Sequence, residues 1–195
     1  MESGFFALIS RMRYIGRWGL MRNSRQENIQ EHSHMVAVLA HALAVIRRDV
    51  MGGEADPDFC AAAALYHDAS EILTGDLPTP IKYHDPQIRE AYHAVEHRAA
   101  RQLLSMLPPE LRPSFAPLLE EDYPDEVKRL VKAADSLSAY IKCVEERKAG
   151  NNEFLSAERQ TREKLRAMAM PEVEYFLKNF MPAYELTLDE LDFQV

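Results

Sequence analysis

The segment "AAAALYHDASEILTGDLPTP" places ionisable side chains at the end of an apolar run. His67, Asp68 and Glu71 follow four alanines and a leucine, a composition that predicts a buried helix. Burying an ionised carboxylate is unfavourable unless the carboxylate is paired or bound to a metal ion. An imidazole nitrogen and a carboxylate oxygen are suitable ligands for one divalent metal ion. The segment therefore predicts part of a metal site, and two ligands are too few to complete it.

Two residues elsewhere in the chain are candidates for the missing ligands. His32 lies in the first turn of a predicted helix, on its apolar stripe, and is therefore expected to face the core. Asp135 lies at the shoulder of the apolar stripe in "VKRLVKAADSLSAYIKCVEE". A lone core-facing histidine is more often hydrogen-bonded than metal-bound, and an aspartate at a shoulder is more often solvated. The conjunction of these residues with His67 and Asp68 is what indicates a metal centre.

The elements that must position these residues are helices, because apolar residues recur with helical spacing and no convincing strand pattern is present. The fold class is therefore predicted to be all-α, in one domain spanning residues 1–195. Asn28 and Glu31 have the spacing of a capping box and mark a helix start. The proline-rich stretch 108–125 is predicted to be a connection. The other predicted helices cover about 4–15, 58–74, 86–107 and 126–149, with one or two more in the C-terminal tail.

Composition and charge exclude several classes of function. The formal net charge of −8 argues against a nucleic acid polymer as partner, because proteins that bind such polymers present a broad basic surface. The apolar run Phe5–Ile9 is too short for a membrane span or a secretory signal, so we expect a soluble, cytoplasmic protein without a membrane partner. Cys60 and Cys143 lack disulfide or metal-site spacing and are expected to be buried apolar side chains.

The order His32, His67-Asp68 and Asp135 resembles the H…HD…D pattern of the HD superfamily of metal-dependent phosphohydrolases, which are all-helical. The blocks "RWGLMRN", "EHS", "YHDASEILTGDLPTPIKY", "KAADSLSAYIKC" and "EERKAGNNEF" resemble those of the bacterial 5′-deoxynucleotidases in that superfamily. The resemblance implies a single HD-type helical bundle, a homodimer, and hydrolysis of deoxyribonucleoside 5′-monophosphates to deoxynucleoside and phosphate. It also implies that these four residues hold one divalent transition metal ion, such as cobalt or manganese.

The resemblance assigns the remaining site residues as well. Glu71 would orient or deprotonate the attacking water, although a surface position in the last turn of its helix is the alternative. Arg17 would orient the phosphate. It belongs to an arginine-rich segment, and the other arginines of that segment are expected to be solvated. Trp18 would help to form the nucleotide pocket, although a core anchor is the ordinary role of such a ring. The other implied substrate contacts are His32, Asp68, Asp135 and the stiff loop Asp76, Leu77, Pro78 and Thr79, which could exclude a ribose 2′-hydroxyl.

Other interpretations of the sequence remain open at this stage. His93 and His97 match H-x-x-E-H, the pattern of inverted zinc proteases, but a helix packed through Ile88, Tyr92, Val95, Ala99 and Leu103 would turn both towards solvent. The chain could act on a different nucleotide, or be a helical sensor without turnover, although simple binding would not require Glu71. The C-terminal segment "VEYFLKNFMPAY" could form a dimer surface or cover the core.

Overall fold

The computed structural model describes residues 2–82 and 85–191, and these residues form an all-α fold, as predicted. Within those ranges no β-strand is present, and one isolated antiparallel bridge joins Gly16 to Asn28. A 3₁₀ turn extends α1, and a π-helical turn extends α2. The helices in chain order are α1 (Phe5–Ile9), α2 (Ile29–Val45), α3 (Pro57–Tyr66), α4 (Glu71–Thr74), α5 (Thr79–Lys82), α6 (Pro86–Ser105), α7 (Arg112–Leu119), α8 (Asp125–Lys148), α9 (Leu155–Ala167) and α10 (Pro171–Asn179).

The main core lies where α2 packs against α3 on one side and α8 on the other. The predicted apolar stripe of α2 is confirmed, since every one of its members is buried: His32, Val36, Leu39, Leu43 and Ile46. Helix α8 is the longest helix in the described ranges, and its own stripe is buried along its length. Since α2 and α8 lie side by side, a residue near the start of α2 can meet a residue in the middle of α8.

The start of α2 is fixed by Asn28, as the capping pattern predicts. The Asn28 side chain accepts hydrogen bonds from the backbone N–H groups of Gln30 and Glu31, at 3.1 and 3.0 Å. These bonds satisfy two of the donors that a helix leaves unpaired at its N-terminus. The cap therefore determines the position of the first turn of α2, and with it the direction of His32.

The predicted helix over 58–74 is interrupted, which is a correction to the sequence analysis. Helix α3 ends at Tyr66, residues 67–70 form a turn, and α4 begins at Glu71. The His67 ring bonds the Ala64 carbonyl oxygen at 2.7 Å, and short-range bonds such as that from the Ala69 N–H to the Tyr66 carbonyl tighten the turn. A side chain that bonds a nearby backbone group competes with the regular helical pattern. His67 and Asp68 therefore project from a turn at the helix end.

Two further expectations about the helices are wrong in part. On α6, Ala99 and Leu103 are buried as predicted, but Ile88 and Val95 are exposed. The described neighbours of α6 are the short helices α4, α5 and α7, which do not cover its whole predicted face. The stretch predicted as a connection contains α7, which tolerates one proline in its first turn and another, Pro117, inside the helix.

Part of the segment "VEYFLKNFMPAY" covers the core, which confirms one of its two expected roles and leaves the dimer surface as a prediction. Val173, Phe176 and Met181 are buried, while Phe180 is exposed.

Both cysteines are fully buried, as predicted. Among the described helices, none combines the length and the apolar character that crossing a membrane would require.

The segment 15–28, between α1 and α2, is anchored to α8 through buried charge. Glu146 is buried and accepts hydrogen bonds from the Ser24 backbone N–H and the Asn151 side-chain amide, both at 2.8 Å. Lys142 pairs with Glu146 and also donates to the Arg25 carbonyl at 2.5 Å. We call Lys142, Glu146 and Asn151 the anchoring cluster. It holds the loop that carries Arg17 and Trp18.

Candidate metal centre and active site

Three elements bring the four predicted ligands together: the first turn of α2, the turn after α3, and the middle of α8. His32 Nε2 lies 3.3 Å from Asp135 Oδ1 and 3.6 Å from Asp68 Oδ2. His67 Nε2 lies 3.2 Å from the same Asp68 oxygen. Ligand atoms of His32, His67 and Asp135 all lie within 4.8 Å of one another. The geometry therefore unites all four residues that the sequence indicated.

The two imidazole rings are oriented by contacts at their Nδ1 atoms. His32 Nδ1 lies 3.2 Å from the Ser138 hydroxyl, and His67 Nδ1 donates to the Ala64 carbonyl, since a carbonyl oxygen can only accept. The Nε2 atoms of both rings are buried and make no hydrogen bond within the described residues. Contacts at the second nitrogen are how proteins orient metal-binding histidines. The unsatisfied Nε2 atoms, facing two carboxylates, fit a divalent metal ion.

The charges of the cluster favour metal binding over protonation at three of the four ligands. Burial opposes ionisation of Asp68 and Asp135, but the nearby histidines outweigh it and hold the pKa of each carboxyl well below its usual range. Burial and the positive charge of Arg17 lower the pKa of His32. At His67 the neighbouring Asp68 outweighs burial and raises the pKa to about 9 in the metal-free chain. A proton at His67 therefore competes with a metal ion.

Glu71 begins α4, and the alternative that it is a surface residue is wrong. Its side chain is 6% exposed, and its Oε2 atom has no hydrogen-bond partner among the described residues. The Glu71 N–H donates to the Asp68 carbonyl at 3.0 Å, so Glu71 lies one short turn after the predicted metal ligand Asp68. Burial, with repulsion from Asp68 and Asp76, raises its pKa to about 9. A buried carboxyl without a partner is a candidate for proton transfer.

Arg17 and Trp18 are neighbours on the loop between α1 and α2, and Arg17 reaches the metal ligands. Arg17 Nη1 lies 3.5 Å from Asp68 Oδ2, so the guanidinium is next to the ligand cluster. Trp18 is half-buried, with its ring centroid 5.3 Å from that of Phe154. Trp18 therefore packs against a buried ring with one part of its side chain and is not fully enclosed. Its placement leaves part of the ring available to a ligand.

The loop Asp76, Leu77 and Pro78 follows Gly75, whose φ of 75° is a conformation that glycine adopts without strain. The Gly75 carbonyl accepts a hydrogen bond from the Tyr92 hydroxyl at 3.1 Å, which ties the loop to α6. Burial and the charge of Asp68 raise the pKa of Asp76, and Arg17 opposes this. Thr79 begins α5, and its side chain, like the whole of His84, lies outside the described part of the structure.

A cavity of about 430 Å³ opens beside the ligands, and His67, Asp68 and Asp135 line it. His93, Glu96 and His97 also line this cavity but do not join the ligand cluster. His93 is 61% exposed, as predicted, whereas Glu96 turns inward and accepts a hydrogen bond from Lys82 at 2.7 Å. A zinc site would need a further protein ligand held against these histidines, and none of the described residues provides it.

Several contacts of the site were not predicted from the sequence. The contact of Ser138 with His32 was not predicted, and neither was the ion pair of Lys132 with Asp135 Oδ2 at 2.9 Å. Glu27 directly follows a segment of the sequence that holds five arginines and no acidic residue, and that isolation was a usable signal. In the structure Glu27 contacts both Arg17 and Trp18.

Comparison with known proteins identifies the family. The family model described as 5′-deoxynucleotidase YfbR-like matches residues 4–184. The chain belongs to this family. The 5′-deoxynucleotidase YfbR of Escherichia coli strain K12/DH10B is 52% identical over 191 residues, covering 97% of this chain and 96% of that protein.

Solved structures agree with the family in fold. An HD-domain phosphohydrolase from Listeria innocua is 25% identical, with a TM-score of 0.80 over 92% of this chain and 87% of that one. The cyanophage S-2L HD phosphohydrolase DatZ, bound to dA and one catalytic Zn²⁺ ion, has a TM-score of 0.64 at 20% identity, over 90% of this chain and 95% of that one. The all-α architecture is therefore that of HD phosphohydrolases.

Proposed function

We propose that this chain is a metal-dependent 5′-deoxynucleotidase, which hydrolyses deoxyribonucleoside 5′-monophosphates to the deoxynucleoside and phosphate. The observation that carries the proposal is the pair of buried, unpartnered Nε2 atoms of His32 and His67 facing Asp68 and Asp135. This donor set occurs in a chain 52% identical to a 5′-deoxynucleotidase over nearly its full length.

His32, His67, Asp68 and Asp135 hold one divalent transition metal ion. Cobalt and manganese suit two nitrogen and two oxygen donors, and so does zinc, which is the ion in the cyanophage structure. When bound, such an ion polarises a phosphoryl group and lowers the pKa of bound water. His67 would hold the ion through a deprotonated Nε2, because imidazole coordinates in its neutral form.

The side chains around the ligands orient the phosphate and accept the proton. Arg17 donates to the phosphate oxygens, because the guanidinium fork matches their spacing. Glu71 takes the proton of the attacking water at Oε2. The raised pKa of Glu71 belongs to the metal-free chain, and positive charge beside Asp68 favours its carboxylate form.

The sugar and base lie between Trp18 and the loop Asp76–Thr79. Pro78 makes that loop stiff, and the contact from Tyr92 to Gly75 fixes its start. A rigid wall next to the ribose 2′ carbon leaves no room for a hydroxyl group. His32, Asp68 and Asp135 also contact the substrate, as their place at the metal implies. The enzyme therefore prefers deoxyribose.

Phosphate release from matched deoxyribo- and ribonucleoside monophosphates, with and without added metal ions, tests the proposal. Release should require the metal, and kcat/KM should be much higher for the deoxy member of each pair. Equal values for a pair would contradict the role of the Asp76–Thr79 loop alone. Binding of metal and nucleotide without any release would instead indicate a sensor.

The role of Glu71 is tested by Glu71→Gln, with Glu120→Gln, at a half-buried glutamate that lines the cavity beside the ligands, as the control. General acid–base assistance is worth on the order of 10²–10⁴-fold, so kcat should fall in that range at Glu71. Metal content and melting temperature should stay at the wild-type level. A folded, metal-loaded Glu71→Gln enzyme with the wild-type rate would refute this role.

We further propose that residues 1–195 form a single HD domain, that the chain is cytoplasmic, and that it forms a homodimer. The homodimer is supported by resemblance to the family and by exposed apolar side chains such as Val38, Val95 and Phe180. Sedimentation equilibrium of the full chain should give twice the mass of one chain. A single-chain mass at micromolar concentration would contradict the dimer and leave the catalytic proposal intact.

A further inference from the structure

One oxygen atom of Glu27 serves two neighbouring residues of the site. Glu27 Oε2 accepts a hydrogen bond from Arg17 Nε at 3.1 Å and another from Trp18 Nε1 at 3.0 Å. The Arg17 and Glu27 side chains are only 13% and 16% exposed, so water competes little for these bonds. The same carboxylate thus fixes the position of a guanidinium and of an indole.

The backbone holds Glu27 opposite Arg17 independently of its side chain. The Arg17 N–H donates to the Glu27 carbonyl at 2.9 Å, and the Ile29 N–H donates to the Ile15 carbonyl at 3.0 Å. These two bonds close the loop directly before α2 begins. Replacing the Glu27 side chain therefore leaves the closure of the loop in place, and its effects can be attributed to the carboxylate.

Trp18 adopts a conformation that needs outside support. Its φ of 59° lies in the left-handed region, which is uncommon for a bulky residue and costs of order 1–3 kcal/mol. Such a conformation persists only when surrounding contacts hold it. The bond to Glu27 and the ring contact with Phe154 are the side-chain contacts that supply this support.

We propose that Glu27 is a positioning residue that couples the phosphate contact of Arg17 to the nucleoside contact of Trp18. This inference rests on the proposed function. Glu27 acts through the other two residues and does not touch the substrate. Because both bonds end on one oxygen atom, displacement of either side chain disturbs the contact of the other. Recognition of the phosphate and of the nucleoside is therefore linked within this loop.

The contact itself can be tested without any ligand, because Trp18 is the single tryptophan of the chain. Tryptophan emission and its quenching by acrylamide should change in Glu27→Ala, since the indole loses its hydrogen bond and its orientation. Glu27→Gln should change them less, because an amide oxygen can still accept from the indole N–H. Glu31→Gln, an exposed position four residues later, is the matched control and should match the wild type. Unchanged emission in Glu27→Ala would overturn the proposal.

The coupling is tested by measuring the binding of inorganic phosphate and of a deoxynucleoside separately, by calorimetry on the metal-loaded enzyme. Glu27→Ala should weaken both, each by about tenfold or more, as expected for losing a hydrogen bond to a charged group. Arg17→Ala should abolish most of the phosphate binding and also weaken deoxynucleoside binding, though less, because the Glu27 carboxylate that holds Trp18 loses its ion pair with the guanidinium.

The binding measurements distinguish a failure of the coupling from a failure of the proposed function. Loss of only one of the two affinities in Glu27→Ala would overturn the coupling. A lower melting temperature with both affinities unchanged would also overturn it, since the role would then be structural. A wild-type enzyme that binds no deoxynucleoside would refute the proposed function and the coupling with it, whereas the emission measurement would still report the contact.

Discussion

Helix α8 contributes to two clusters of charged side chains, through Asp135 to the first and through Lys142 and Glu146, seven and eleven residues later, to the second. The metal cluster consists of His32, His67, Asp68 and Asp135, and the anchoring cluster consists of Lys142, Glu146 and Asn151. In the metal cluster, two imidazole nitrogens are buried without a hydrogen bond among the described residues. In the anchoring cluster, both oxygens of Glu146 accept hydrogen bonds.

This difference separates a binding site from a structural ion pair. Burial of charge is common to both clusters, and by itself it indicates neither role. Unsatisfied polar atoms are costly when they are buried, so a native protein retains them where a ligand completes them. A cluster that is already complete stabilises the fold, and Glu146 does so by fixing the loop segment 22–25 to α8.

The largest effect is expected for Asp68→Ala, which should lose nearly all bound metal and all measurable turnover. Asp68 contacts both histidines, and its charge keeps the metal cluster anionic. Elemental analysis of the purified variant measures the loss. Glu146→Ala serves as the comparison, because it removes a carboxylate that is even more deeply buried and should keep the wild-type metal content. Undiminished metal in Asp68→Ala would place the metal site elsewhere.

For stability, unlike metal content, the larger effect is expected from the variant in the anchoring cluster. Glu146→Ala leaves the Lys142 ammonium and the Ser24 N–H without their buried partner, so unfolding free energy should fall by about 3–5 kcal/mol. Urea denaturation of the metal-free proteins measures the difference. Glu145→Ala, the exposed neighbouring glutamate, should differ from the wild type by about 0.5 kcal/mol or less. If the two variants proved equally stable, the anchoring cluster would carry no structural role.

The contribution of Glu146 should depend on pH. Burial alone would raise its pKa, but hydrogen bonds from Lys142, Asn151 and Ser24 lower it from 4.5 to about 2. A depressed pKa in the folded state adds stability above the unfolded value, and this stability is lost as the pH falls through the folded value. The stability advantage of the wild type over Glu146→Gln should therefore shrink between about pH 4.5 and 2. An advantage that stays constant over this window would contradict the shift.

The smallest of these effects is expected for Ser138→Ala, which removes the contact that orients the His32 ring. Loss of such a supporting contact typically weakens metal binding by about 10–100-fold. Competition with a chelator of known affinity measures the change. Ser136→Ala, another buried serine of α8, bonds the Lys132 carbonyl instead and should leave the affinity unchanged. Equal affinities in the two variants would show that Ser138 does not orient His32.

The sequence predicted those parts of the fold that depend on local patterns. Asn28 was predicted as the start of α2 because capping depends on neighbouring residues, and it caps that helix. The buried stripes of α2 and α8 follow from their periodicity. The break at 67–70 was not predicted, because it involves a bond from a side chain to the backbone within an alanine-rich run. The exposure of Ile88 and Val95 depends on what packs against α6, which periodicity does not encode.

For the site, residue types and order were sufficient to identify four residues that the fold unites. His32, His67, Asp68 and Asp135 were found because an unusual pattern of ionisable residues interrupts apolar helices. Contacts between distant segments were not found, as Ser138 with His32 and Glu146 with Ser24 illustrate. Such contacts link residues more than 100 positions apart and leave no local trace in the sequence.

The place of Asp135 in the middle of α8 has a consequence for how the protein matures. During synthesis, His32, His67 and Asp68 leave the ribosome well before residues 125–148, so a growing chain holds only three of the four ligands. Glu146 of the anchoring cluster lies about 16 Å further along the same helix, and that cluster forms later still. A complete metal site therefore exists only after α8 has docked against α2. Metal uptake should accordingly follow synthesis of the chain, and an ion that binds only the folded protein would then shift the folding equilibrium towards the finished enzyme.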